Sequence, residues 1–70
     1  MNKVKLDYNK ITTYENYLQR ALPYRQFIDA NKDKVLTVES YQFYKNFVSL
    51  EEDQNDCKWL FNIADLIEVE

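Results

Sequence analysis

The 70-residue chain contains no glycine, so no position was given to the residue that most easily takes a positive φ angle. Histidine is absent as well, which removes the side chain that most often performs acid–base chemistry near neutral pH. Phosphate-cradling loops and Ser/His/Asp sets cannot be built without these two residues, and no zinc-ligand spacing is present. The composition therefore predicts that the protein is not an enzyme.

Size and cysteine content limit the architecture further. Residues 1–70 make one domain, and a chain of this size buries only about 60% of the surface that it exposes when unfolded. Support from a metal or a partner is therefore expected. Cys57 is the single cysteine, which excludes a disulfide within one chain. Acidic residues flank Cys57 and there is no histidine to activate it, so we expect a buried structural thiol.

Composition also indicates the cellular location and the source of the protein. A lone thiol, with no signal peptide and no apolar run of about 20 residues, indicates a cytoplasmic protein that does not enter a membrane. The chain has no dense basic stripe, which argues against nucleic-acid binding. Lys, Asn and Tyr are frequent, a bias typical of AT-rich genomes such as those of low-GC bacteria and their phages.

The two ends of the chain alternate polar and apolar residues. Residues 3–8 do so within an extended arm over residues 1–11, and Ile67–Glu70 is the only other stretch with this pattern. A single strand is not stable alone, so each end needs a partner strand. The two ends can pair with each other, within one chain or between two copies.

Between these ends, the sequence predicts three helices. A capping box at Thr12–Glu15 opens a helix over residues 12–30, in which Pro23 produces a kink or a fresh helix start. A loop over residues 31–36 should follow. Thr37 then caps a helix over residues 37–49, whose inner face holds Tyr41, Tyr44, Phe47 and Val48.

A second capping box, Ser49–Glu52, predicts the last helix, over residues 50–67. Two apolar stripes run along this segment, so we expect it to be central to the core or shared with a partner. Together, these signals predict a mainly α-helical domain, a small bundle of three to four short helices with a short β-arm at one or both ends.

The segment Asp29–Ser40 resembles the calcium loop of the EF-hand family. In that family, oxygen ligands come from loop positions 1, 3 and 5, from a backbone carbonyl at 7 and from a group at 9. The resemblance implies a helix on each side of the loop and calcium as the ligand. The residues at these five positions are Asp29, Asn31, Asp33, Val35 and Thr37.

The loop departs from the family pattern at two positions. Lys34 stands where the family has glycine, and Ser40 stands where the family has a bidentate glutamate. Without a metal, Asp29, Asn31 and Asp33 are expected to form a capped turn, because short Asx side chains readily bond to nearby backbone groups.

Charge is distributed unevenly along the chain. Residues 1–50 hold eight Lys or Arg and five Asp or Glu, which gives a net charge of +3. Residues 51–70 hold one Lys and seven Asp or Glu, which gives a net charge of −6. The acidic segment is either a solvated helix face or a surface for a basic partner protein. The candidate partner-binding residues are Glu51, Glu52, Asp53, Asp56 and Trp59.

Aromatic residues make up 16% of the chain, with six Tyr, four Phe and one Trp. A core of this size cannot hide them all, so either several lie half exposed or some line a dimer or partner surface. We therefore expect a small acidic protein-binding module, a regulator or inhibitor of bacterial or phage type that occupies a partner surface. The alternatives are a divergent EF-hand-like calcium-binding domain and a structural component that self-assembles through its terminal strands. A homodimer is compatible with all three hypotheses, since EF-hands usually work in pairs and a second copy could supply the other loop.

Overall fold

A computed structural model describes residues 1–69 of the chain. Helices account for 30% of the chain and strands for another 30%. In chain order, the elements are β1 (Lys3–Leu6), α1 (Tyr8–Thr13), a 3-10 helix (Tyr17–Gln19), α2 (Leu22–Ala30), β2 (Leu36–Gln42), β3 (Phe47–Leu50), β4 (Phe61–Asn62), a second 3-10 helix (Ile63–Asp65) and β5 (Leu66–Val69).

The five strands form one antiparallel sheet in the order β4-β3-β2-β1-β5. The prediction of a mainly helical bundle is therefore wrong. The helix predicted over residues 37–49 is the β2–β3 hairpin, and the helix predicted over residues 50–67 is a long loop followed by β4, a 3-10 helix and the start of β5.

The hairpin explains why helical spacing misled the sequence interpretation. In the hairpin, Tyr41 pairs with Val48, and Gln42 pairs with Phe47. Tyr, Phe and Val favour strands over helices, and this preference outweighs the helical spacing of the apolar residues. The turn lacks the Asn-Gly or Asp-Gly pair that commonly marks a hairpin, so the sequence carries no visible break there.

The predicted pairing of the two chain ends is confirmed within one chain. β1 and β5 are antiparallel neighbours, with Lys3 opposite Val69 and Leu6 opposite Leu66. The extended arm is shorter than predicted, because α1 begins at Tyr8. The carboxylate of Asp7 caps this helix by accepting a hydrogen bond from the Lys10 amide at 3.3 Å.

The helix predicted over residues 12–30 is divided into the end of α1, a 3-10 helix and α2. Thr12 lies inside α1, where its hydroxyl donates to the Tyr8 carbonyl at 2.8 Å, and so it is not a cap. A fresh helix start at Pro23 is confirmed, since this residue lies in the first turn of α2. The predicted end of the helix near Ala30 is also confirmed.

A β-bulge at Glu39 bends β2. Val38 pairs with Leu50 and Ser40 with Ser49, so Glu39 is the extra residue on its strand. β2 pairs with β1 at Leu36 and Thr37 and with β3 on both sides of the bulge, from Val38 to Gln42. The Glu39 carboxylate forms an ion pair with Lys58 at 2.9 Å, which ties the strand to the loop after β3.

The helices and the sheet share one hydrophobic core. Tyr24 from α2 packs edge-on against Trp59 at 5.6 Å and stacks on Phe61 at 5.8 Å, measured between ring centroids. Within residues 1–69, every helix is too short or too polar to traverse a lipid bilayer. The buried apolar residues are Val4, Leu6, Ile11, Tyr17, Tyr24, Ile28, Leu36, Val48, Leu50, Phe61 and Leu66.

Candidate functional site

The most exposed aromatic side chains lie at the turn between β2 and β3. Tyr44 is 99% exposed and Phe43 is 62% exposed. The Phe43 ring packs edge-on against Phe47 with centroids 5.9 Å apart, and Lys45 is also exposed. We call these four residues the aromatic tip. Because burial from water is what makes an aromatic ring stabilising, the Tyr44 ring adds almost nothing to the stability of the fold.

The backbone of the aromatic tip is strained. The Asn46 amide donates to the Phe43 carbonyl at 3.1 Å, and three successive residues have positive φ angles, 52° at Phe43, 58° at Tyr44 and 68° at Lys45. Gln42 pairs with Phe47, so residues 43–46 form a four-residue loop between β2 and β3. A positive φ angle favours Gly, and among the other residues Asn, because it is unfavourable for a residue with a Cβ. A residue with a Cβ costs roughly 1–2 kcal/mol in this region.

The base of the aromatic tip is held by the sheet. The Ile63 amide donates to the Asn46 carbonyl at 3.0 Å, and Phe47 pairs with Asn62 of β4 as well as with Gln42 of β2. The turn therefore projects from strands that are paired on both sides of β3. Residues held in sparsely populated backbone regions by the surrounding structure cluster at ligand-binding sites, which makes the tip the leading candidate.

The charge of the aromatic tip is opposite to that of the whole chain. Lys45 is the only charged residue between Ser40 and Leu50, whereas the net charge of the protein is −3. The tip is thus a locally cationic, aromatic surface on an acidic protein.

The structure does not bring the five predicted partner-binding residues, four acids and Trp59, together as one surface. Asp53 is only 1% exposed, and its carboxylate accepts hydrogen bonds from the Asn55 amide at 3.0 Å, the Asn55 side chain at 2.7 Å and the Trp59 amide at 2.8 Å. Trp59 is partly buried against the core. Both residues therefore shape the loop between β3 and β4, while Glu51 and Asp56 are exposed.

Glu52 also has a structural contact. Its carboxylate accepts a hydrogen bond from the Thr37 amide at 2.8 Å, and the neighbouring Glu51 amide donates to the Thr37 carbonyl at 2.9 Å. Burial is the largest single influence, and it raises the pKa of Glu52. The hydrogen bond from the Thr37 amide and several smaller contributions lower the pKa, and together they outweigh burial. The pKa of Glu52 therefore lies below its ordinary value.

The residues of the predicted calcium loop have other partners in the structure. Asp29 accepts a hydrogen bond from the Tyr8 hydroxyl at 2.9 Å, which raises the pKa of Tyr8. The Asn31 side chain donates to the Phe27 carbonyl at 2.8 Å, and the Thr37 hydroxyl accepts from the Lys3 ammonium at 2.8 Å. The Asn31 contact caps α2, as expected for a turn without metal.

The surroundings of this loop differ from a helix–loop–helix. β2 begins at Leu36, so a strand follows the loop where the resemblance implied a helix. Asp33 and Val35 are exposed to solvent. Among the described residues, no group of three or more His, Cys, Asp or Glu side chains is placed to hold a metal ion. The divergent EF-hand-like calcium-binding domain stays an untested alternative.

Two further features compete with the aromatic tip. Leu18 is 76% exposed and Leu22 is also exposed, at the connection between the first 3-10 helix and α2; we call this pair the leucine pair.

A shallow cavity of about 270 Å³ is lined by equal numbers of cationic and acidic side chains, which favour no single ligand charge. It is formed by Lys5, Leu6, Asp7, Tyr8, Asn9, Lys32, Asp33 and Ile67.

The structure also corrects the expectation that the Cys57 thiol is buried. Its thiol is exposed, so the prediction of a buried structural cysteine is wrong. The acidic stretch around it is a loop rather than a helix with an inner face, which leaves the side chain in solvent.

Comparison of the chain with protein-family models, with curated proteins and with solved structures gave no match. The functional interpretation therefore rests on the chain itself. Sequence reasoning missed the aromatic tip because it assigned Tyr44 and Phe47 to the buried face of a helix. The abundance of aromatic residues was the one sequence signal that pointed to an aromatic contact surface.

Proposed function

We propose that the chain is a small protein-binding module, a regulator or inhibitor that acts by occupying the surface of a partner protein through the aromatic tip. One observation carries this proposal: Tyr44 is 99% exposed at a position with a positive φ angle, where its Cβ makes the backbone conformation unfavourable. Tyrosine in this setting supports no folding contact, whereas tyrosine is enriched at the centres of protein interfaces.

The aromatic tip is better suited to this role than the acidic loop. Asp53, Glu52 and Trp59 are engaged in internal contacts, which leaves Glu51 and Asp56 as exposed acids. They lie beyond the opposite end of β3 from the tip, so the acidic loop and the tip do not form one continuous contact surface. The proposal therefore moves the principal contact from the acidic loop to the tip.

Two other parts of the proposal concern chemistry and location. It includes no catalytic activity, as the absence of histidine and glycine from the sequence predicts. It also includes a cytoplasmic location, which rests on the single cysteine of the chain.

The proposal is tested by affinity capture with paired variants. The immobilised chain, its Tyr44→Gly variant and its Leu18→Ser variant are exposed to lysate of the cells that carry the gene, after circular dichroism has shown all three to be folded. Captured proteins are compared by quantitative mass spectrometry. We expect one protein to be retained by the original chain and by Leu18→Ser, and to fall at least tenfold with Tyr44→Gly.

Two results would contradict the proposal. If retention survives Tyr44→Gly and fails with Leu18→Ser, the leucine pair is the contact surface. If no protein depends on either substitution, the chain does not act through an exposed apolar surface. Sedimentation of the pure chain is measured alongside, and loss of a dimer in Tyr44→Gly alone would make a second copy the partner.

A further inference from the structure

The geometry of the aromatic tip points to the kind of partner surface that it fits, an inference that rests on the proposed function. We infer that the partner is a folded protein with a concave apolar pocket whose rim carries carboxylates. In this arrangement the Tyr44 ring enters the pocket and the Lys45 ammonium pairs with the rim.

The shape of the tip requires a concave partner. Tyr44 lies inside the four-residue loop between the paired residues Gln42 and Phe47 and is 99% exposed, so the ring is surrounded by water on nearly every side. A flat surface covers one face of such a ring, whereas a pocket removes the whole ring from water. Residues that dominate binding free energy sit in fully desolvated pockets of this kind. The phenol hydroxyl needs a hydrogen-bond partner at the base of the pocket.

The charge of the tip indicates which side chains the rim of the partner's pocket carries. Lys45 follows Tyr44 directly, and within residues 1–69 it takes part in none of the ion pairs. From Ser40 to Leu50 there is no carboxylate to neutralise it. Enclosing the edge of this turn removes water from the Lys45 ammonium, which is unfavourable unless an opposite charge lies within reach. Carboxylates at the rim supply that charge.

The backbone of the tip is already set for insertion. The Phe43–Asn46 hydrogen bond closes the turn, and the Asn46–Ile63 hydrogen bond fixes it to the start of the second 3-10 helix, directly after β4. Binding therefore orders little more than the side chains of Tyr44 and Lys45, and a preorganised contact loses less conformational entropy than a flexible loop.

Other classes of partner fit the tip less well. Anionic membranes are recognised by clusters of about four to eight Lys or Arg, and the tip has only Lys45. Single-stranded nucleic acids stack on aromatic residues, but they also need a positively charged groove along the backbone. A single cation beside a single exposed ring matches one pocket with an acidic rim.

Photo-crosslinking tests the pocket. p-Benzoylphenylalanine replaces Tyr44 in one variant and Leu18 in a control variant, and both are illuminated in lysate of the cells that carry the gene. We expect an adduct from position 44 only, with the crosslinked partner peptide lying in an apolar pocket bordered by Asp or Glu. An adduct on a flat or basic surface overturns the inference, as does an adduct between two copies of the chain.

Substitutions of Lys45 separate this inference from the proposed function. With the partner identified, Lys45→Gln is expected to weaken binding about tenfold and to reduce its salt dependence, and Lys45→Glu is expected to weaken it further. If Lys45→Gln leaves affinity and salt dependence unchanged, the acidic rim is wrong while the proposed function stands. Absence of a protein adduct from both positions overturns both. Sedimentation of the chain with phosphatidylserine vesicles overturns the pocket if it requires Tyr44.

Discussion

The Asp53 carboxylate accepts a hydrogen bond from the Trp59 amide at 2.8 Å across the loop between β3 and β4. Its other oxygen accepts two hydrogen bonds from Asn55, so the buried carboxylate satisfies three donors. Because Trp59 packs edge-on against Tyr24, Asp53 connects the shape of this loop to the aromatic part of the core. An acidic residue in an acidic segment thus serves the fold rather than the surface.

This arrangement predicts a large difference between two aspartates of the same loop. Asp53→Ala should lower the free energy of unfolding by about 3 kcal/mol, because it leaves buried amide donors without a partner and removes charge-assisted hydrogen bonds. Asp56→Ala, at an exposed position, should change it by less than about 0.5 kcal/mol. Urea unfolding followed by circular dichroism gives both values. Equal effects would show that the three hydrogen bonds do not organise the loop.

Local sequence signals gave correct predictions where they came from a rigid residue or from a simple alternation of polar and apolar residues. Pro23 marked the start of α2, and alternation at the two ends predicted strands that pair with each other. The caps at Thr12 and Ser49 were wrong, since Thr and Ser also occur within helices and strands. The Ser49 side chain is buried in β3, where its hydroxyl donates to Glu39 at 3.4 Å.

The aromatic tip and the Asp53 loop could not be predicted for different physical reasons. Turn propensity is read from Gly, Asn and Asp, but this turn gives positive φ angles to Phe43, Tyr44 and Lys45. Asp53 is surrounded by acidic residues, and only the folded loop shows that its carboxylate faces inward. In both cases long-range sheet pairing overrides the local pattern, and such pairing leaves little trace in one sequence.

Tyrosine ionisation should destabilise the fold at high pH. Hydrogen bonds to Asp29 and Asp65 raise the pKa values of Tyr8 and Tyr14, and burial raises those of Tyr17 and Tyr24. A pKa raised in the folded state means that the stabilisation is complete below the unfolded-state pKa of about 10 and is lost as the pH rises through the folded-state pKa. Urea midpoints should therefore fall above about pH 10.

The matching measurement is an absorbance titration at about 295 nm, where tyrosinate absorbs, compared with circular dichroism over the same pH range. We expect Tyr24→Phe to reduce the alkaline loss of stability, because the phenylalanine ring keeps the core contact and removes the ionisable hydroxyl. A midpoint that is constant from about pH 9 to pH 11 would contradict the raised pKa values.

Calcium should leave the midpoint of thermal unfolding unchanged. Asp29 and Asn31 already have protein partners, and a strand rather than a helix follows the loop. A ligand that binds only the native state stabilises it by about 2.7 kcal/mol at one hundred times its dissociation constant, so a melt in calcium and in EDTA is a sensitive test. A rise with calcium that disappears in the Asp29→Ala, Asp33→Ala double variant would restore the EF-hand-like hypothesis.

The strain of the aromatic tip makes a prediction that does not depend on knowing the partner. Tyr44→Gly should raise the free energy of unfolding by about 0.5–1 kcal/mol, because the relief of the left-handed backbone exceeds the entropy that glycine adds to the unfolded chain. Lys45→Gly should behave similarly, since its φ angle of 68° is also positive. Gln42→Gly, within β2, should lower the same free energy by about 0.5–1 kcal/mol.

Urea unfolding of these three variants separates two explanations of the tip. If Tyr44→Gly is stabilising, the tyrosine is unfavourable for folding, and its presence at this position needs a role outside the fold, as the proposed contact with a partner supplies. If Tyr44→Gly is destabilising while Lys45→Gly is stabilising, the ring makes a favourable contact within the chain. Tyr44 would then be a structural residue, and the argument for a binding surface at the tip would lose its main support.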